Sequence, residues 1–200
     1  MKLKIDIALL IGLIITLALS DFTAFKENYD DLQNDVLRMH ILANSDSEQD
    51  QSVKLKVRDA LLKASDELFE GCNTQEELLS KAKTAKAKIT EIANKVLKEN
   101  GFDYTATVEV VNMHFDDRVY EDITMPAGEY EALRITLGEA SGHNWWCVMY
   151  PPLCLPYAFG ENEMDIQYFT AEEVDILKKP QKYHAKFKFL EILRKYGIVD

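Results

Sequence analysis

The apolar residues of this chain change their spacing near Gly101, and that change decides what class of fold can bury them. Ahead of it they recur every three or four residues, as on helices, and beyond it they alternate, as on strands. Before the helical part, Val36–Ala43 already alternates: Leu37, Met39, Ile41 and Ala43 fall on one strand face, Arg38 and His40 on the other. Asn44-Ser45-Asp46-Ser47-Glu48 is dense in side chains that cap helix amino termini, so a helix is expected to start between Ser45 and Ser47 and to reach Phe69. Val53, Val57, Ala60, Leu61, Ala64 and Leu68 form its apolar stripe. Leu55, Leu62 and Phe69 make a second row nearly opposite, which fits a helix packed between two layers or a ridge that a partner covers.

Gly71 breaks the chain, and Thr74 with Glu77 three residues on forms a capping box for a second helix to Asn100, with Gly101 as its carboxy-terminal cap. Its stripe runs through Leu78, Ala82, Ala85, Ile89, Ile92, Ala93 and Val96, and lysines occupy the rest: a solvated face, or one drawn to anionic lipid or an acidic partner. Strands are then expected from Tyr104 to Phe115 and from Tyr130 to Glu139. Trp145–Tyr150 is apolar on both faces and reads as a central strand stopped by Pro151-Pro152. The acidic stretch Glu161–Asp175 reads as loop with a helical part, and Gln181–Tyr196 as a terminal helix ended by Gly197. The fold class is therefore α+β: a mostly antiparallel sheet packed by two long helices, with a C-terminal helix. With 200 residues, 47% hydrophobic, and no repeat or interdomain linker, one domain over residues 36–200 suffices.

Lys2 and Lys4 precede Ile7–Leu19, an uncharged apolar run, and Ala18 and Ser20 offer small residues where signal peptidase reads. As a helix that run covers roughly 20 Å, short of the ~30 Å hydrocarbon core. The length favours a cleaved signal peptide over residues 1–20, in contact with the membrane before cleavage; a retained N-terminal membrane anchor and a buried soluble helix are the other readings. Either of the first two exports the rest of the chain. Residues 21–35 are polar with scattered aromatics and read as a tether or a frayed helix.

The chain carries 34 acidic against 23 basic residues, a net charge of −11 that repels phosphate backbones, so no nucleic-acid partner is expected. His143 and Cys147 would be a nucleophile pair only if adjacent, yet four residues along a strand separate them by about 13 Å. Cys147 and Cys154 either close a short disulfide loop over Pro151-Pro152 or remain two buried thiols, and Cys72 is left over. His40, His114, His143 and His184 are dispersed without ligand spacing, and no phosphate-binding or nucleophile motif occurs. No metal, cofactor, catalytic residue or small-molecule substrate is expected. Arg38, His40 and Arg134 are polar groups on strands that otherwise bury apolar residues. They form a solvated face, an internal ion pair or the frame of a recognition surface.

Three blocks carry a resemblance. Val36–Ser47, followed by Gln51 and Leu55–Asp59, is the first; Pro126–Arg134 is the second; Gly138–Val148 leading into Pro151-Pro152-Leu153-Cys154 is the third. In this order after a hydrophobic leader they resemble the stage II sporulation protein R family. The resemblance implies a secreted signalling protein of endospore-forming bacteria, exported from the forespore into the space between forespore and mother-cell membranes. There it implies activation of a membrane-embedded aspartic protease that processes the precursor of the early mother-cell sigma factor. On the shared tracts, Arg38, His40, Asn44, Asp46, Arg58, Asp59, His143, Asn144 and Trp145 are the candidates for contact with that protease. The structural alternative has Asn44 and Asp46 capping the helix and Arg58 paired with Asp59. A membrane-anchored adaptor would keep the leader, and a secreted hydrolase would need Cys147 or a histidine as its working group.

Overall fold

The computed structural model describes residues 2–72, 74–120, 122–151 and 168–199. The chain is α+β, in the order α1 (Lys2–Asn34), β1 (Leu37–Leu42), α2 (Glu48–Phe69), α3 (Gln75–Glu99), β2 (Ala106–Phe115), β3 (Arg118–Tyr120), β4 (Ile123–Met125), β5 (Gly128–Leu137), β6 (Asn144–Tyr150), α4 (Ala171–Lys178) and α5 (Pro180–Lys195). Four strands form the main sheet in the order β2-β5-β1-β6, and β3 and β4 form a separate ribbon. β5 pairs antiparallel with β2 and parallel with β1, and β1 pairs antiparallel with β6, so the sheet is mixed and mostly antiparallel.

The caps fall where side-chain chemistry put them. Ser47 Oγ accepts the Asp50 N–H at the start of α2, and Thr74 Oγ1 accepts the Glu77 N–H at the start of α3. Leu62 and Phe69 are buried while Leu55 is 37% exposed, so most of the second row on α2 is covered within the fold itself. Sheet pleating then separates two faces. Leu37, Met39, Ile41, Leu133, Ile135 and Val108 share the side that carries Trp145, over which Arg58 of α2 lies at 4.3 Å. The opposite side is covered by α1, the β3–β4 ribbon and α4, with α5 packed outside α1.

Three expectations change on this frame. Residues 21–34, expected as a tether or frayed helix, continue α1 without a break. Phe25, Tyr29 and Leu32 recur at helical spacing and are buried; Phe25 and Tyr29 meet Tyr183 and Phe187 of α5, and Gln33 Nε2 donates to the Glu129 carbonyl at 2.9 Å. Among the described residues the strand over Trp145–Tyr150 is an edge of the sheet, not its centre. Its two apolar faces are buried by side chains: Trp145 under Arg58, and Trp146 stacked on His40 with ring centroids 3.7 Å apart. Arg38 and His40, which alternation placed on the polar side of β1, are buried at 0% and 4% exposure. Of the acidic stretch, residues 171–178 are helical with a reciprocal Thr170–Glu173 capping box, and Glu161, Glu163 and Asp165 lie outside the described residues.

The amino-terminal part of α1 is exposed throughout, from Leu3 to Leu19. By length and composition α1 is the one helix among the described residues apolar enough to cross a membrane, with a mean hydropathy of 2.2 over its most apolar 18 residues; a signal sequence has the same properties.

Candidate functional site at the β1–α2 and β5–β6 junction

Because β1 and β5 run parallel, their carboxyl ends open at the same end of the sheet, and the loops that leave them meet there. Asn44 joins the two loops. Its Oδ1 accepts the Glu139 N–H at 2.9 Å, its carbonyl accepts the Ser141 hydroxyl at 2.6 Å, and its Nδ2 donates to Asp50 at 2.9 Å. The approach is close enough to require glycine. Gly138 has φ +56°, and a Cβ on it would lie 2.1 Å from Asn44 Oδ1. A Cβ on Gly142 would lie 2.2 Å from the Ser45 carbonyl oxygen.

Asp50, 6% exposed in the first turn of α2, gathers the donors beneath this junction. It accepts from Ser45 Oγ at 2.5 Å and Tyr104 OH at 2.6 Å besides Asn44. Burial pushes its carboxyl up, but the hydrogen bonds from Ser45, Tyr104, Asn44 and Ser47 together outweigh that and hold it below the usual carboxylate range. The same contact acts oppositely on Tyr104, whose phenol is pushed well up by burial and by the bond to Asp50. Lys54 is also buried, and its Nζ donates to Gln51 Oε1 at 2.6 Å and to the His143 carbonyl at 2.9 Å. Burial lowers its pKa, and the like charge of Arg58 adds to the effect against the opposing pull of Asp46.

Above this buried layer lies the surface. Asp46 Oδ1 accepts the His143 N–H at 2.7 Å and contacts its ring Nδ1, and those bonds hold the Asp46 carboxyl below its ordinary range. Asp46, His143 and Asn144 are exposed; Arg58, Asp59 and Trp145 are half-buried beside them. Arg58 bonds Asp59 through Nε at 2.7 Å while its guanidinium covers the Trp145 ring. Seven of the nine contact candidates thus gather at one junction. Asn44 acts as a buttress, and Ser47, not Asp46 or Asn44, caps α2.

Arg38 and His40 do not belong to that surface. Arg38 lies against the Phe115 and Tyr130 rings at 4.1 and 4.9 Å and donates to Tyr120 OH at 3.1 Å, while Nε and Nη1 find no acceptor among the described residues. His40 sits beneath Trp146, with the Asn144 amide beside it but neither ring nitrogen in hydrogen-bond geometry. Burial lowers its pKa, and Arg134 adds to the lowering against the Asn144 contact. Buried groups cannot serve as a contact surface in this conformation.

Cys147 is buried and engaged in a disulfide, Cys72 is a free buried thiol, and Cys154 lies outside the described residues. His143 points to Asp46, so the structure does not bring it to Cys147. Among the described residues no group of three or more His, Cys, Asp and Glu is placed to hold a metal. A cavity of about 410 Å³ lies at the other end of β6, against Cys72 and Tyr150, and no junction residue lines it. What the junction offers is an exposed acid–imidazole pair, an amide and an arginine–tryptophan stack on a rigid base, groups suited to recognition.

The junction coincides with a known family. The model of the stage II sporulation protein R family matches residues 33–158, well over half of the chain. The chain belongs to that family. It is also 37% identical over 155 residues to the stage II sporulation protein R of Bacillus subtilis (strain 168), a match that covers 76% of this chain and 69% of that protein. No solved structure matches. All nine contact candidates and the supporting Ser45, Asp50, Lys54 and Tyr104 lie inside the family stretch, whereas the apolar part of α1 and the whole of α4 and α5 lie outside it. Asp50 and Lys54 went unread in the sequence, and Ser45 and Tyr104 were read only as part of a capping run and a strand. Asp50 had a signal, an acid in the first turn of a capped helix, but one of its three donors, Tyr104, comes from 54 residues further along the chain.

Proposed function

We propose that this protein is the exported sporulation signal its family membership implies. It acts in the space between forespore and mother-cell membranes, where it activates a membrane-embedded aspartic protease that processes the precursor of the early mother-cell sigma factor. The family match across the whole junction is the observation that carries this reading. The protein works by binding: the surface of Asp46, His143, Asn144, Arg58 and Trp145 docks on the extracytoplasmic side of the protease and favours its active arrangement. A hundredfold shift requires the active state to be bound better by about 2.7 kcal/mol. Support comes from the exposure of these groups above a buttressed base, which fixes their positions before contact. No step of bond making is assigned to the chain itself.

Replacing Asp46, His143 and Trp145 together by alanine tests the reading in sporulating cells. The variant is expected to accumulate at the normal level and to leave the sigma precursor unprocessed. Normal processing with all three replaced contradicts the assignment of this surface.

A second reading, the membrane-anchored adaptor, draws on the continuity of α1, which passes through residues 19–21 without a break. The mass of the exported form separates the two: loss of residues 1–20 gives the free signal, and the full mass gives the adaptor.

A further inference from the structure

We propose that the outer edge of β2 is a second docking site, which takes an extended basic segment of another protein as an added strand. Among the described residues β2 is an outermost strand of the main sheet, ten residues long and paired on one side only, with β5. The Gly138 N–H bonds the Thr105 carbonyl, so in the antiparallel ladder the groups of residues 107, 109, 111, 113 and 115 face β5. Those of residues 106, 108, 110, 112 and 114 face outward. Asn94 Oδ1 accepts the first outward N–H, that of Ala106, at 2.7 Å. The N–H and C=O groups of Val108, Val110, Asn112 and His114 have no partner among the described residues, an open edge of roughly 20 Å.

Edge strands normally carry devices that discourage pairing: lysine, proline, a bulge or short length. The opposite edge has them. β6 is shorter, shifts register opposite Leu37 and Arg38, and runs into Pro151. β2 has no lysine, proline or bulge and a single carboxylate, Glu109, and its register with β5 is unbroken over all ten pairs. Val110, Val111 and Met113 are half-buried on its two faces, so apolar surface is available to the side chains of an added strand.

Charge selects the occupant. Glu109 lies on the edge strand, Glu129 and Glu131 stand opposite His114 and Asn112 on the adjoining β5, and Asp116 and Asp117 follow the end of β2, against Arg118 and Arg134, in a chain of net −11. Antiparallel pairing with a second copy would bring these acids together. A segment that alternates apolar and basic residues matches both the pockets and the rim. This inference concerns a different edge from the junction and does not depend on the signalling role.

The full-length chain in lipid nanodiscs, probed with an eight-residue alternating lysine–valine peptide and its glutamate–valine counterpart, tests the proposal by residue-resolved amide exchange. In the free protein the amides of Val110, Asn112 and His114 are expected to exchange much faster than those of Val111 and Met113. The basic peptide should slow them at least about tenfold, and the acidic one should not. Asn112→Pro removes an outward N–H without touching the β5 ladder and should weaken peptide binding at least about tenfold. Val111→Lys, which leaves the backbone intact and repels the probe, serves if the proline variant fails to fold. Equal protection of all β2 amides in the free protein, binding that survives these substitutions, or indifference to peptide charge would overturn the proposal. So would concentration-dependent dimers that protect the same amides without peptide.

Discussion

Replacing Asp50 by asparagine tests the buttress beneath the junction with almost no change of shape. The carboxylate takes Ser45, Tyr104 and Asn44 as donors at 2.5, 2.6 and 2.9 Å from within the first turn of α2. The amide keeps one acceptor oxygen and turns an NH₂ toward groups that are themselves donors. A hydrogen bond to a charged group is worth about 1 kcal/mol more than a neutral one, so three of them and the lost interaction with the helix terminus give roughly 3 kcal/mol. For a chain of this size that corresponds to a fall in Tm of about 6–12 °C. Thermal unfolding of the full-length protein in detergent micelles, followed by the fluorescence of Trp145 and Trp146, reads the change directly. The pH dependence supplies the sign. The folded-state pKa of Asp50 lies below its unfolded value, so the folded state binds fewer protons through this group. Its contribution is present above an unfolded pKa of about 3.9 and is lost as pH falls through the folded value. The gap between wild type and Asp50→Asn should therefore narrow on acidification below pH 4. A gap under about 1 kcal/mol at pH 7, or one that persists unchanged in acid, would refute the reasoning.

Other substitutions probe separate parts of the fold. Arg38→Met fills the same enclosure and removes two buried nitrogens that find no acceptor among the described residues, at the expense of two ring contacts and the hydrogen bond to Tyr120. Chemical denaturation should find it between neutral and about 2 kcal/mol more stable, and a loss beyond about 2 kcal/mol would show that the guanidinium is satisfied. Gly138→Ala must displace Asn44 and hold a strained φ, for a cost of about 2–4 kcal/mol, whereas Gly101→Ala, with φ +80° but open space, should cost only about 1 kcal/mol. His40 has a folded pKa below its unfolded value near 6.5, so the unfolded state binds the extra proton and stability falls as pH drops below that point. His40→Phe should flatten the stability profile between about pH 6.5 and 5, read as the denaturation midpoint at each pH.

Local chemistry was legible in the sequence. The run Asn44–Glu48 located the start of α2, and alternation located β1, β2 and β5, because caps and pleats are decided by residues a few positions apart. What escaped depends on distant partners. Residues 21–34 read as a tether because the rings that bury Phe25 and Tyr29 belong to α5, beyond residue 180. Arg38 alternated onto a polar face, and its cover comes from Tyr120, 82 residues away. β6 read as central because two-sided burial was attributed to a strand on each side, when Arg58 of α2 and His40 of its one neighbour among the described residues, β1, cover its tryptophans. The junction was legible as a set of residues through the family resemblance but not as a geometry, since Asp46 and His143 are 97 residues apart.

The central claim, that this chain conveys its message by binding, is tested most directly in a purified system. The full-length protein is added to liposomes that hold the aspartic protease together with its sigma-factor precursor, and the rate of precursor cleavage is measured. The account predicts at least about tenfold faster cleavage with the wild-type chain and none of that gain with Asp46, His143 and Trp145 replaced. An unchanged rate, or cleavage of the precursor by this chain with the protease left out, would contradict it.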